Sequence, residues 1–548
     1  MMKNKSGLVM VTGFFVISFA LTGYHTNHLS ATAPTAKNGN AKAITAAQLR
    51  NHLTFIASDE LEGRNTGSRG LKTAAKYIAA HLERWGVKPA GDDRTYFQKI
   101  VLRKSTIDLA GTSVEINGQR FSFGADFLAQ PNTASASGKV VYAGHGWVIK
   151  SKGINAYDSV DVKDKIVIVS EGLPEGVSFR ELRRSRGDDV IRPSQYARAN
   201  GAKGLITVPG FRTLTRWERS RKRALERGSI VVEKFQSQSN EGLPSITASA
   251  SLVAALFSGE QHNGTAILRA ATGGDEIAPF DLNPGKIVSI TVAANITQEV
   301  TQNVVGEIEG KDGKLKNEFV AIGAHYDHVG VGRPVAGDAI YNGADDDGSG
   351  TVAVLAIAEA FATGSRPKRS ILLVWHTGEE RGLWGSRYFN EYPTVPHEQI
   401  ITQLNIDMIG RSRPDGDTNP ANRNLAGPKE VYVIGSKMMS TELGEISEKV
   451  NNSFLKLNFN YKYDDPNDPQ RFFFRSDHYN YARKGIPIIF YFTGVHQDYH
   501  RPSDHVEKID FQKMEMIART IYATGWELAN RSKRPVVDKE LPSRLTRR

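Results

Sequence analysis

Five cation-binding side chains follow one another across about the last 230 residues. They are His325 in A-H-Y-D-H, Asp346 in G-A-D-D-D-G-S-G, Glu380 in T-G-E-E, Asp407 in N-I-D-M-I-G and His500 in D-Y-H-R-P. Imidazole combined with carboxylate is ligand chemistry for zinc, and catalytic zinc sites keep a position open for water. Five ligands exceed what one catalytic cation needs. If one carboxylate bridges, two cations receive three protein ligands each, which is the pattern of a two-metal hydrolase.

The neighbours of these residues suggest supporting roles. His325 and Asp327 stand two apart at the end of an apolar run, so in extended chain they face the same side. Asp327 is therefore expected to orient the His325 imidazole. Asp345, Asp346 and Asp347 crowd between glycines, where a calcium loop or a helix start is the ordinary reading. The spacing does not match a calcium-binding hand, and Asp346 is the expected bridge. Glu379 and Glu380 cannot point the same way from regular strand, which suits one ligand and one proton acceptor. Tyr499, beside His500, could donate a hydrogen bond to a developing oxyanion. Ser476-Asp477-His478 are chain neighbours, which hydrolase triads are not, so Asp477 is read as a support for the metals. Each residue alone has a plainer explanation in packing or solvation. The ordered set does not.

The elements that must hold these groups are legible too. Residues 44–86 read as two helices, with Thr45 capping the first, Ser68 starting the second and Gly86 stopping it. A polar loop, S-D-E-L-E-G-R-N-T-G, joins them. From about 285 the pattern is strand, loop, helix. Phe319–Ala324 ends at His325, Ile371–Trp375 ends before Glu379-Glu380, Ile401–Ile406 ends at Asp407, and Pro487–Phe492 precedes His500. Thr351–Ala362 reads as a helix. Continuous apolar strands between helices predict an α/β fold whose mostly parallel sheet is covered on both faces. Ligands just past the strand C-termini lie where such sheets place their sites.

Between about 105 and 275 the character changes. Short apolar runs at Val140–Tyr142, Ile166–Val169, Leu205–Val208 and Ile230–Val232 alternate with glycine turns, and no ligand cluster occurs. This predicts a separate β-rich insert. The expected division is 1–40 leader, 41–130 and 276–530 main domain, 131–275 insert, and 531–548 basic tail. The length, 548 residues, requires more than one domain.

Composition narrows the function classes. With no cysteine, thiolate zinc sites, disulfides and cysteine nucleophiles are excluded. Lys3 and Lys5, the apolar run Gly7 to Gly23 and the small polar residues to about Asn40 follow the order of a secretory signal, so an exported, periplasmic or extracellular bacterial protein is expected. An uncleaved anchor is the other reading, and stable membrane insertion is not expected once the signal is removed. The net charge is +11, much of it in Arg212 to Lys234. A solvated helix face explains that stretch, and without a nucleic-acid motif no nucleic-acid partner is expected. The tail from Ser532 is expected to be frayed.

Taken together, the five motifs resemble the co-catalytic di-zinc exopeptidases, the group that contains secreted bacterial aminopeptidases and glutamate carboxypeptidases. The resemblance covers roughly residues 44–100 and 285–530. It implies two zinc ions per chain, one held by His325, Asp346 and Asp407 and the other by Asp346, Glu380 and His500. It implies Glu379 as general base, Tyr499 as oxyanion donor and a cis Asp346–Asp347 bond. The chain departs from the family pattern at Asp347, where Asn is frequent, and at Arg501, where Thr is common. Y-D-S-V-D-V-K-D-K-I-V-I-V at 157–169 and A-R-A-N-G-A-K-G-L-I-T-V at 197–208 make the insert resemble a protease-associated domain. The implied function is an aminopeptidase acting on the N-termini of peptides or proteins. A glutamate-type carboxypeptidase, with Arg411 or Arg475 holding a carboxylate, is an alternative. A one-zinc glutaminyl cyclase and a non-catalytic binding protein are two more.

Overall fold

The computed structural model describes residues 38–184, 187–236, 242–273 and 276–541, so the expected leader lies almost wholly outside the described residues. The two N-terminal helices form as their caps predict. The Thr45 hydroxyl accepts the Gln48 N–H to start Ala46–Ile56, and Ser68 accepts the Leu71 N–H to start Arg69–Arg84. Each has a stripe of buried residues, Leu49, Leu53 and Ile56 on the first and Leu71, Ala74, Ala75, Ile78 and Leu82 on the second.

The main sheet has ten strands. Its centre is parallel: Phe319–His325 lies between Ser370–His376 and Ile400–Ile406, and the latter pairs with Ile488–Phe492. Antiparallel strands flank this centre, Ala294–Ile308 on one side and Glu430–Ile434 on the other. Every residue of the three central strands is buried, because helices cover both faces. Side chains alternate between those faces. Val320, Ile322 and Ala324 join a core with Gly350–Thr363, Phe511–Asn530 and the N-terminal helices. Phe319 and Ala321 join a second core with Tyr481, Ala482 and Phe389. Burying each large aliphatic side chain contributes about 1.5–3 kcal/mol.

A second sheet of nine strands carries the other lobe, with the parallel set Ala134–Tyr142, Ile166–Ser170, Gly204–Val208 and Ser245–Ala248 at its middle. Its pairing sets wider limits than 131–275. Ser113–Ile116, Gln119–Ser122 and Ile287–Val292 all belong to it, since their alternate residues Val114, Ile116, Phe121, Val288 and Ile290 enter its core. Ser229–Val232, expected within the insert, instead pairs antiparallel with Phe97–Ile107 at the edge of the main sheet. The two long strands Phe97–Ile107 and Ala294–Ile308 pair over 11 residues and carry the chain between lobes. The basic stretch forms the helix Trp217–Glu226, whose one buried residue is Ala224. The segment after Ser532 does not fray where it is described. Arg534 pairs with Glu318 at 2.8 Å and the Val536 N–H donates to Glu442. No helix of the described residues is long and apolar enough to cross a membrane.

Candidate metal centre

The C-terminal ends of the central strands converge on one buried to half-buried group of acids and histidines. His325 is the last residue of its strand, and Asp407 directly follows Ile406. Glu379 and Glu380 lie in the turn after His376, and His500 lies in the loop after Phe492. Asp346 comes from the loop that precedes the helix Gly350–Thr363. Gly343 opens that loop at φ 60°, and a Cβ there would meet the Asp346 carbonyl at 2.2 Å, so only glycine fits. The Asp346–Asp347 peptide bond is cis, as the resemblance implies.

The structure brings the six motif residues together. Asp346 turns Oδ1 to His325 Nε2 at 3.4 Å and Oδ2 to His500 Nε2 at 3.1 Å. His325 Nε2 lies 3.7 Å from Asp407 Oδ2 and 4.0 Å from Glu379 Oε2. Glu380 Oε2 lies 3.0 Å from His500 Nε2. Tyr499 lines the same cleft, its ring stacked on His500 with centroids 3.9 Å apart. The far wall of the cleft is apolar, built from Met408, Phe472, Phe490, Phe492 and Val495, with the exposed Arg475 at its edge.

Electrostatics at this point call for positive charge. Burial penalises the charged forms throughout, yet His500 is carried up to about 10 by Asp346 and Glu380. His325 is raised well above its ordinary value by Glu379 and Asp407. Asp346 is held well below the carboxylate range by His328, His325 and His500, against the penalty of burial. Asp346 Oδ2, Glu380 Oε1 and His500 Nε2 are buried without a hydrogen-bond partner. Such atoms need an explanation in a folded protein, and a cation supplies it. Imidazole nitrogen and carboxylate oxygen are the donor set that fits zinc.

Glu379 differs from the rest. Burial pushes its carboxyl well above the ordinary range, with Glu380, Asp407 and Asp477 adding and His325 opposing. Asp477 is likewise pushed up to about 7 by burial, His325 opposing and Asp327 and Asp407 adding. Its neighbours do other work, Ser476 accepting from Asn405 and His478 meeting the Phe473 carbonyl. No triad forms.

Asp327 acts differently from its expected role. The His325 Nδ1 sits 3.0 Å from the Asp327 backbone carbonyl, while the nearest carboxylate oxygen is 3.7 Å away. The carboxylate instead accepts the Glu379 N–H at 3.0 Å and the Thr66 hydroxyl at 2.8 Å. It fixes the turn that carries Glu379-Glu380, because that turn has no ladder partner of its own.

Four residues around the site had no assigned role in the sequence reading, and a fifth, Arg411, is placed away from the one expected for it. Asp347 accepts the N–H groups of His325, Gly350 and Met408, so it ties the strand ends that carry His325 and Asp407 to the helix start. Both its oxygens are thus engaged, although one also lies within donor reach of His325 and Asp407, whereas Asp346 is the carboxylate that faces both His325 and His500. Arg64, fully buried, donates to the carbonyls of Ile56, Tyr326, Asn342 and Gly343. Burial lowers it to about 10, the nearby aspartates opposing. Asp504 accepts the N–H groups of Asp345 and Asp346. Arg411 is buried and pairs with Asp498 at 2.8 Å, so it cannot hold a substrate carboxylate. His328, fully buried, places Nδ1 2.8 Å from Glu380 Oε1. Of these, only Asp347 and His328 stood inside a quoted ligand motif. Both groups of potential metal donors among the described residues lie in the main domain and none in the second lobe.

Comparison with known proteins agrees with the geometry. Residues 303–525 match the sequence model of Peptidase family M28. Leucine aminopeptidase 2 of Trichophyton rubrum is 25% identical over 354 residues, and a probable leucine aminopeptidase 2 of Arthroderma benhamiae is 29% identical over 354. Each alignment covers 64% of this chain and 55% of the relative, so the chain spans about half the length of these curated relatives. Among solved structures, the aminopeptidase from Aneurinibacillus sp. strain AM-1 superposes with a TM-score of 0.50 at 16% identity, covering 92% of this chain and 98% of that one. The shared architecture is the mixed α/β exopeptidase fold.

Proposed function

We propose that this protein is a zinc-dependent aminopeptidase that removes residues from the N-termini of peptides. The carrying observation is the cluster of buried His325, Asp346 and Asp407 with half-buried Glu379, Glu380 and His500, whose donor atoms turn toward one another at the mouth of an apolar-walled cleft. The names of the curated relatives, leucine aminopeptidases, support the same reading.

His325, Asp346 and Asp407 would hold one zinc and Asp346, Glu380 and His500 the other, with Asp346 bridging. Bound there, zinc polarises the scissile carbonyl and supplies a nucleophile at neutral pH. Glu379, kept off the ligand set, takes a proton at its carboxylate and passes it to the leaving amine. Its burial favours the protonated form between those two transfers. Tyr499 stays a phenol, because burial and the adjacent Asp346 and Glu380 push its ionisation far up. It can donate to the oxygen that becomes negative. Met408, Phe472, Phe490, Phe492 and Val495 favour an apolar first side chain. The second lobe carries no catalytic group in this reading and, as a protease-associated domain, shapes access. Export is proposed from the N-terminal sequence, and the mature N-terminus determined from a native host would test it.

The deciding experiment is hydrolysis of dipeptides with free or blocked amines, with zinc removed and restored. Free-amine substrates should be cleaved only with zinc. Turnover of N-blocked substrates alone would favour the carboxypeptidase reading, for which Arg475 is the remaining candidate cation at the cleft.

A further inference from the structure

We propose that His328 is itself a ligand of the second cation, which rests on the two-zinc reading above. The residue is about 1% exposed, Nε2 has no polar partner, and Nδ1 makes no well-formed hydrogen bond, its one close polar neighbour being the Glu380 carboxylate. Other buried histidines of this domain behave otherwise. His478 Nε2 meets the Phe473 carbonyl, His325 Nδ1 the Asp327 carbonyl, and His376 Nε2 the Tyr481 hydroxyl. A structural histidine finds such a partner, because leaving a buried polar group unpaired costs about 1–3 kcal/mol. His328 Nδ1 instead points into the second site, 2.8 Å from Glu380 Oε1 and 3.7 Å from Asp346 Oδ2. The donor atoms of His328, Asp346 and Glu380 lie within 4.8 Å of one another. His500 faces the same two carboxylates from the other side, its ring centroid 5.6 Å from that of His328.

The backbone is arranged to let this ring in. Gly343 lies against it, and a Cβ at that position would come within 2.5 Å of His328 Cγ and Cδ2. The His328 N–H donates to the Arg64 carbonyl, which fixes where the side chain starts. The two cation sites therefore differ in kind. The first has one imidazole, from His325, and the carboxylates of Asp346 and Asp407. The second has two imidazoles, His328 and His500, and the carboxylates of Asp346 and Glu380. Imidazole favours zinc, copper and cobalt over the harder magnesium and manganese. The second site should then fill first and hold zinc more tightly.

X-ray absorption at the zinc edge on protein loaded with one equivalent tests this directly. Two imidazoles on that zinc are expected in the wild type and one in His328→Gln. The variant should also bind its tightest zinc more than about 100-fold more weakly, beyond the 10- to 100-fold that loss of a merely supporting group costs. His328→Cys gives a second readout. Cobalt loading should produce a thiolate-to-metal band in the near ultraviolet, absent from wild type, on protein whose circular dichroism is unchanged. Two imidazoles retained in His328→Gln, or a folded, cobalt-loaded His328→Cys without that band, would overturn the assignment. Neither readout uses turnover. A protein that cleaves no peptide but loses an imidazole would sink the peptidase reading alone, and an active enzyme with an unchanged ligand count would sink only this one.

Discussion

The two lobes treat buried polar groups in opposite ways. In the second lobe, Lys286 is buried and donates to the Leu256 and Ser258 carbonyls and to Glu260. Between Lys104 and Asp327, among the described residues, no buried side-chain polar atom lacks a partner. At the strand ends of the main sheet atoms without a hydrogen bond crowd together, on Asp345, Asp346, Glu380, His328, His496, His500, Asp477 and Asp504, and several meet one another only as ion pairs, such as His496 with Asp345 at 3.2 Å and His500 with Asp346 at 3.1 Å. A fold tolerates unpaired buried charge only if something else compensates it. The second lobe satisfies its buried polar groups within the protein, whereas the main lobe gathers at one point a donor set that fits zinc.

That contrast can be broken in several places. Removal of zinc by a chelator should abolish peptide hydrolysis and restored zinc should recover it, while also raising the thermal midpoint, since a ligand that binds only the folded state stabilises it. Equal activity of metal-free protein, confirmed by elemental analysis, would erase the distinction between the lobes. Next, Glu379→Gln should retain zinc but lose about 10²–10⁴-fold in turnover, the size of a general-base contribution. Glu380→Gln should instead weaken zinc binding. Reversed behaviour of the pair would swap their roles.

Arg64→Met should cost on the order of 3 kcal/mol or more in stability, because four carbonyls lose their donor at once. Arg64→Lys should recover only part of this, lacking the fork that reaches all four. Denaturation of the zinc-loaded protein measures both. His52 sharpens the comparison from the opposite direction, as a buried group with a partner, Tyr77, and no cation to complete it. Burial, with His81 adding, lowers it to about 4 from 6.5. The unfolded chain therefore binds the proton more readily than the folded one. Stability is complete above pH 6.5 and is lost as pH falls from there toward 4, by up to about 3 kcal/mol. His52→Gln should flatten the acid dependence of denaturation in that window, and an unchanged slope would refute the assignment. The smallest effect belongs to the basic helix. Replacing the exposed Arg219, Lys222 and Arg223 by Gln should change stability by no more than about 0.5 kcal/mol and leave dipeptide turnover as it was. A large loss of turnover would give that helix a part in substrate binding.

The main sheet was readable because its strands are buried on both faces. Runs such as Phe319–His325 and Ile400–Ile406 are continuous and end abruptly at a candidate ligand. Strands with one open face were harder. Ser113–Ile116 and Ile287–Val292 bury only alternate residues, so their membership of the second sheet was not visible as a composition change. Within the site, the candidate ligands stood out by type and spacing, but the residues that brace them did not. Arg64 reaches Tyr326 across 262 positions and Asn342 across 278. No local pattern encodes such a contact. Asp347 was visible only as a departure from a family habit, and its use as a clamp for three N–H groups depends on the loop fold. His328 was in view but lacked a distinguishing feature until its unpartnered nitrogens could be seen.

Ser229–Val232 has a practical consequence for anyone who would take this molecule apart. The chain leaves the main sheet through Phe97–Ile107, comes back from the other lobe to pair Ser229 through Val232 with Ser105 through Leu102, and departs again before Ala294–Ile308 returns it for good. The lobe is stitched in, not looped out. Excision of everything between Asp108 and Ala293 would leave Leu102 to Ser105 as a bare edge, its N–H and C=O groups free to recruit a second molecule. A truncated chain made that way should precipitate or dimerise. One that keeps residues 229–232 on a short linker should stay monodisperse.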